Sequence, residues 1–109
     1  MKHTPFYPIH PGEILKDEIE YRQISQKNLA KQMGISYSML NEILNGKRPV
    51  TATIALLIEV SLGLDAEMFV SMQARYNLQT ARQDKDVKKR IEFVSGLYPS
   101  LHQTAAQAV

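Results

Sequence analysis

The sequence contains no cysteine and no long apolar run. The absence of cysteine excludes disulfide bonds and thiolate metal sites. A membrane-spanning helix needs about 20 consecutive apolar residues, and no segment approaches that length. Residues 1–13 lack the continuous apolar stretch of a signal peptide, so the cytoplasm is the expected location. The three histidines are scattered without paired ligand spacing. We therefore predict surface or capping roles for them, and neither a metal nor a cofactor.

Charge is spread unevenly over a chain whose length and composition suit a single globular domain. The 109 residues are 44% hydrophobic, enough for one core, and the net charge is +2. In residues 25–50 the cations Lys27, Lys31, Lys47 and Arg48 face a single acid, Glu42. In residues 11–22 acidic side chains outnumber basic ones. A positive face suits phosphate, whereas the acidic segment suits something else.

Residues 25–49 predict two short helices joined by a tight turn and followed by a basic loop. Ser25 and Ser36 are suitable N-caps, and Gly34 suits the positive φ of a helix exit. The side chains expected to face inward recur at helical spacing; they are Leu29, Ala30, Met33, Ile35, Leu40 and Ile43. Small Ala30 would let the second helix cross the first closely. This pattern is typical of a helix-turn-helix, whose second helix enters the major groove of DNA.

The outward side chains at the start of the second helix are small or polar groups that can reach base edges. They are Ser36, Tyr37, Ser38 and Asn41. Lys47 and Arg48 in the following loop would neutralise phosphates. A purely structural helical hairpin is the alternative interpretation. Outward Glu42 supports a further alternative, a protein-interaction module whose helix-turn-helix is vestigial, because its carboxylate would meet phosphate.

The flanking segments predict further helices. Pro5 and Pro8 make residues 1–10 an extended arm that either lies on the domain or binds a partner. Pro11 suits the first position of a helix. Either Thr51 or Thr53 can begin a fourth helix that ends at Gly63, and Asp65 can begin a fifth.

An apolar stripe follows in a stretch that has neither glycine nor proline from Asp65 to Ser95. Its members are Met68, Phe69, Met72 and Tyr76. The stripe either forms a symmetric dimer contact or packs against the first helix. Residues 84–98 repeat the pattern among basic side chains. Asp84 either begins a separate helix there or lies within a continuous fifth helix.

Several segments with their spacing resemble HigA/VapI-type antitoxins, which are small repressors of the XRE helix-turn-helix class. They are HPGEIL at residues 10–15, the helix-turn-helix, and residues 43–78, which end in MQARYNL. The resemblance covers about residues 8–83. It implies an all-α fold of five packed helices, to which residues 84–109 add a C-terminal helix and a frayed tail. The expected domains are therefore an arm at 1–10, a DNA-binding domain with its dimerisation helix at 11–83, and this extension.

The same resemblance implies a homodimeric repressor that binds an inverted-repeat operator in its own promoter and neutralises a RelE-like mRNA-cleaving toxin. Carried over by position, Ser36, Tyr37, Ser38 and Asn41 face base edges. The residues that face phosphate are Gln26, Asn45, Lys47 and Arg48. A stand-alone XRE repressor without a toxin is the alternative. We do not expect an enzyme, because no nucleophile, base and orienting group occur at usable spacing.

The toxin should contact a surface that leaves the DNA face free. A protein that cleaves RNA approaches phosphate and is typically basic, so acidic surface should attract it. The predicted contact residues are Phe6, Tyr7, Glu13, Asp17 and Glu20. The apolar stripe of the 84–98 helix is the alternative contact.

Overall fold

The computed structural model describes residues 7–97. Within that range the chain is helical and has no strands, which confirms the predicted fold class. The six helices are α1 (Pro11–Tyr21), α2 (Gln26–Met33), α3 (Tyr37–Leu44), α4 (Ala52–Leu62), α5 (Ala66–Gln83) and α6 (Lys85–Leu97). The chain divides into two compact units between Asn77 and Leu78, inside α5. The predicted domain boundary after residue 83 falls at the end of α5.

The start of α1 is fixed by a histidine cap. His10 Nδ1 accepts a hydrogen bond from the Gly12 backbone N–H at 2.9 Å. The Glu13 carboxylate accepts in return from the His10 N–H at 3.4 Å, which completes a capping box. Pro11 occupies the first helical position as predicted. The capping role expected for a histidine is thus confirmed at His10.

The later helix ends follow local side-chain chemistry. Thr51, rather than Thr53, caps α4, and Gly63 ends that helix with φ of 72°. The Asp65 carboxylate accepts from the Glu67 N–H at the start of α5. The Asp84 carboxylate accepts from the N–H groups of Asp86 and Val87, at 2.8 and 3.1 Å. Asp84 therefore begins α6 as a separate helix, which decides between the two alternatives.

The core lies within the first unit, where α1 and α2 pack on α3 and α2 also packs on α4. Its apolar side chains include Leu15, Ile19, Leu29, Leu40, Ile43, Ile58 and Phe69. Gly12 allows a close approach of α1 to α3, because a Cβ at that position would collide with the backbone carbonyl of Ile43. This contact sets α1 tightly against the end of α3.

The second unit, in its described residues 78–97, contains the end of α5 and all of α6. No residue of α6 is buried. Ile91, Phe93, Val94 and Leu97 are each more than half exposed. The segment beyond Leu97, with Pro99 and the predicted frayed tail, lies outside the described residues.

Candidate nucleic-acid interface

The helix-turn-helix is built by caps at each of its helix ends. Ser25 accepts from the Asn28 N–H and Ser36 accepts from the Met39 N–H, both at 3.0 Å. Gly34 takes a left-handed conformation with φ of 74°, and the Ile35 N–H then donates to the Ala30 carbonyl at 3.0 Å. These contacts fix the turn between α2 and α3.

The exposed start of α3 carries the residues predicted to read bases. Tyr37 is 53% exposed, and Ser36 and Ser38 are also exposed. The Ser36 oxygen is already an acceptor in the cap, so this hydroxyl can offer DNA its proton. Asn41 is half-buried. The structure therefore places the four predicted residues in α3 and at its N-cap, with Ser36, Tyr37 and Ser38 exposed.

A chain of amides connects Asn41 to two of the predicted phosphate contacts. Asn41 Nδ2 donates to Gln26 Oε1 at 3.2 Å. Asn45 Nδ2 donates to the Asn41 backbone carbonyl at 2.9 Å and to Asn41 Oδ1 at 3.2 Å. The network holds the Asn41 amide in one orientation and leaves its second Nδ2 hydrogen available to a base. Such a fixed side chain loses little conformational entropy on binding.

The loop after α3 carries the predicted cationic contacts. Gly46 has φ of 73°, and the Lys47 N–H donates to the Glu42 carbonyl at 2.8 Å. The Arg48 guanidinium pairs with the Glu42 carboxylate, with Nη2 and Oε1 at 2.8 Å. Lys47 is exposed and has no ion-pair partner among residues 7–97. Glu42, which sequence reasoning weighed against DNA binding, is thus neutralised by its neighbour.

His10 supports this loop from the opposite side. A Cβ at Gly46 would lie 3.6 Å from the His10 side chain, and the His10 ring meets Tyr76 edge-on with centroids 4.9 Å apart. Burial lowers the pKa of His10 below its ordinary value, although Glu13 and a hydrogen bond with the backbone of Arg48 oppose that shift. Because Nδ1 accepts the Gly12 N–H, only the neutral ring can act as the cap.

Buried Gln73 is a supporting residue that sequence reasoning missed. Its Oε1 accepts from the Val50 N–H at 2.8 Å, and its Nε2 donates to Asn77 Oδ1 at 3.0 Å. The loop between α3 and α4 is thereby held to α5. The sequence did contain one signal for this supporting role. Gln73 stands four residues after Phe69, on a face of α5 that is otherwise apolar.

The residues predicted for the dimer contact differ in how far they are exposed. Phe69 is 0% exposed and belongs to the core of its own chain, so its assignment to the contact is corrected. Met68 is 38% exposed, and Met72 and Tyr76 are half-buried. On the other flank of α5, Leu56, Val70 and neighbouring small residues line an apolar groove of about 400 Å³ against α4.

Four of the residues predicted for toxin binding lie together. Tyr7, Glu13, Asp17 and Glu20 all line one cleft of about 680 Å³ in the first unit. Phe6, the fifth, lies outside the described residues. In the part of the chain from residue 7 to residue 97, no group of three or more His, Asp or Glu side chains is arranged so that it could hold a metal ion. No helix of the same range is long and apolar enough to span a membrane.

Comparison with known proteins places this arrangement in a family. The helix-turn-helix family model described as HTH_3 matches residues 15–69. Virulence-associated protein I of Dichelobacter nodosus is 42% identical over 78 residues, which are 71% of this chain and 72% of that protein. The chain belongs to the XRE-type helix-turn-helix family, as its motifs predicted.

Solved structures narrow the likeness to antitoxins. An addiction-module antidote protein of the HigA family from Coxiella burnetii is 37% identical, with a TM-score of 0.69 over 78% of this chain and 91% of that one. The Pseudomonas aeruginosa antitoxin HigA, solved with the higBA promoter, is 33% identical. Its TM-score is 0.72 over 80% of this chain and 94% of its own. The predicted resemblance to HigA/VapI-type antitoxins is confirmed.

Proposed function

We propose that this chain is a sequence-specific DNA-binding repressor of the antitoxin type, with α3 in the major groove. The observation that carries the proposal is the exposed start of α3, where Tyr37 and Ser38 stand beside the fixed amide of Asn41 and next to the cationic loop. The similar HigA of Pseudomonas aeruginosa was solved with promoter DNA. The helix-turn-helix family to which both proteins belong consists of DNA-binding regulators rather than enzymes. A repressor of this kind works in the cytoplasm, where bacterial DNA lies.

The direct test is binding of the full chain to DNA from immediately upstream of its own gene. A shuffled duplex of equal length and composition is the control. Specific repressors prefer their sites by about 10³-fold or more, so fluorescence anisotropy should show at least that ratio. Equal affinity for the two duplexes would contradict sequence-specific repression.

We also propose that the chain works as a homodimer on an inverted repeat. A two-fold dimer places two recognition helices about 34 Å apart, on half-sites one turn of DNA apart. Met68 and Met72 supply the contact face. Phe69 is buried in the core of its own chain, and Tyr76 lies against His10 and lines a different surface, the cleft beside α1. We expect Met72→Lys to give monomers in sedimentation, whereas Val70→Lys in the α4–α5 groove should leave dimers. The opposite result would move the dimer contact to that groove.

The partner that makes a repressor an antitoxin is a toxin, here proposed to be RelE-like and mRNA-cleaving. The similarity to HigA-family proteins supports this step. The test is co-expression with the small basic protein encoded beside this gene, if there is one. Growth arrest that this chain relieves would support an antitoxin. A gene with no such neighbour, or a neighbour whose expression is harmless, would favour a stand-alone repressor.

A further inference from the structure

A polar cleft of the first unit lies beside α1. It has a volume of about 680 Å³ and lies between α1, the end of α3 and α5. The side chains that give it its chemistry are Tyr7, Glu13, Asp17, Glu20 and Tyr76. Asn45 and Gly46 form part of its wall, on the side of the loop reached by His10.

Three carboxylates face this cleft without a cation of their own. Glu13, Asp17 and Glu20 lie three and four residues apart, so they form one row along α1. Neighbouring Glu18 is different, because it pairs with Arg22 at 2.7 Å. None of the three has an ion-pair partner among residues 7–97. Lys16 also lines the cleft, but one ammonium leaves an excess of negative charge.

Aromatic side chains stand beside the carboxylates. Tyr7 is 63% exposed at the rim, and the Tyr76 ring is held edge-on against His10 at 4.9 Å. Buried Leu44 contributes an apolar surface. A guanidinium is planar, donates paired N–H hydrogen bonds to a carboxylate along its edge and stacks on aromatic faces, which a compact ammonium does less well.

We propose that this cleft is the docking site for an arginine side chain of a basic protein partner. The proposal rests on the proposed antitoxin function, in which that partner is the toxin. A nucleic acid would be repelled, since its phosphates would meet the row of carboxylates. The side chains predicted to read bases do not line the cleft, so a docked partner leaves the base-reading face open. Of the four residues predicted to face phosphate, Asn45 alone lines it.

The test is a titration of the isotope-labelled full chain, followed by NMR amide shifts. The probe is N-acetyl-arginine amide, and the control probe is N-acetyl-citrulline amide, which has a similar shape without the charge. We expect saturable arginine shifts at Asp17, Glu20 and Gly46, with citrulline at least about tenfold weaker. Equal shifts with the two probes, or shifts confined to other surfaces, would overturn the proposal.

Two matched double variants complete the test. Asp17→Lys with Glu20→Lys reverses the sign of the charge in the cleft. Asp86→Lys with Glu92→Lys makes the same change of net charge on α6. We expect the cleft variant to lose the arginine shifts and to stop co-purifying with the basic protein encoded beside the gene. The α6 variant should keep both properties. Retention of both properties by the cleft variant would overturn the proposal.

The same preparations separate this proposal from the proposed DNA function. We expect both double variants to keep the preference of the unmodified chain for upstream over shuffled DNA within about twofold, because neither alters the readout face and the added positive charge acts on both duplexes. A chain that binds its upstream DNA but not arginine would overturn the docking site alone. A chain that binds arginine in the cleft but no DNA would overturn the repressor and leave the cleft supported.

Discussion

One helix from each unit, α3 and α6, can be compared: the two have similar local sequence signals but different surroundings. α3 and α6 each begin at a side-chain cap and each carry apolar residues at helical spacing. In α3, Leu40, Ile43 and Leu44 are buried, whereas α6 buries no residue at all. Caps and periodicity therefore predict that a helix forms. Burial against neighbours is what fixes the orientation of α3 and so allows its outer side chains to act as a site.

The largest expected effect is on stability, and it should differ between the two units when one aromatic ring is removed from each. Phe69→Ala deletes a fully buried ring, and such changes cost about 3–5 kcal/mol of unfolding free energy. Phe93→Ala removes a ring that is 67% exposed, and it should change stability by less than about 0.5 kcal/mol. Urea unfolding of both variants checks the pair. A loss of similar size at Phe93 would mean that α6 is buried in solution.

The next effect concerns DNA affinity and compares a lysine from each unit. Lys47→Ala removes a proposed phosphate contact, so affinity should fall on both upstream and shuffled DNA. The salt slope of log K should decrease in magnitude by about one. Lys88→Ala removes the same charge from α6 and should change neither quantity. If the two variants behave alike, α6 also contacts the DNA backbone.

A smaller effect is expected from acid acting on the His10 cap. Since burial lowers the pKa of folded His10, the unfolded chain binds the extra proton first. The contribution of His10 is therefore fully present above its unfolded pKa of about 6.5 and is lost as pH falls toward the lower folded pKa. His10→Asn keeps a cap that does not titrate. The melting temperature should fall more steeply between neutral and mildly acidic pH for the unmodified chain than for His10→Asn. Melting temperatures that fall in parallel for the two proteins would contradict this account.

The smallest effect is expected at the ion pair between Glu42 and Arg48. Exposed pairs of this kind contribute about 0.2–1 kcal/mol to stability, so Glu42→Gln should barely change unfolding. It releases Arg48, however, and DNA of any sequence should bind more tightly. Glu92→Gln makes the same change on α6 and is the control. Weaker DNA binding by Glu42→Gln would show that the pair positions Arg48 rather than restraining it.

Much of the first unit could be predicted because its signals are local. Ser25, Ser36 and Gly34 act within a few residues of their own positions, so sequence spacing was enough to place the helix-turn-helix. Phe69 could not be assigned in this way. Adjacent residues on a helix point about 100° apart, and a stripe as wide as Met68–Met72 does not show which side faces the core.

The polar contacts of the site were the least predictable part. Gln26 and Asn41 are fifteen residues apart and meet because α2 and α3 cross. Gln73 and Val50 are separated by twenty-three residues and meet through the fold of α5. The cleft was only partly predictable for the same reason. The acidic row on α1 was visible in the sequence, whereas the wall that Tyr76 provides from a distant part of the chain was not.

The measurement that tests the account most directly is the affinity of Asn41→Ala for upstream and shuffled DNA. We propose that the Asn41 amide, fixed by Gln26 and Asn45, reads a base edge. Its removal should cost about 1–3 kcal/mol on upstream DNA and little on shuffled DNA, at one salt concentration. Circular dichroism of the variant should match that of the unmodified chain. Equal losses on the two duplexes, or no loss on upstream DNA, would contradict base readout by α3 at this position.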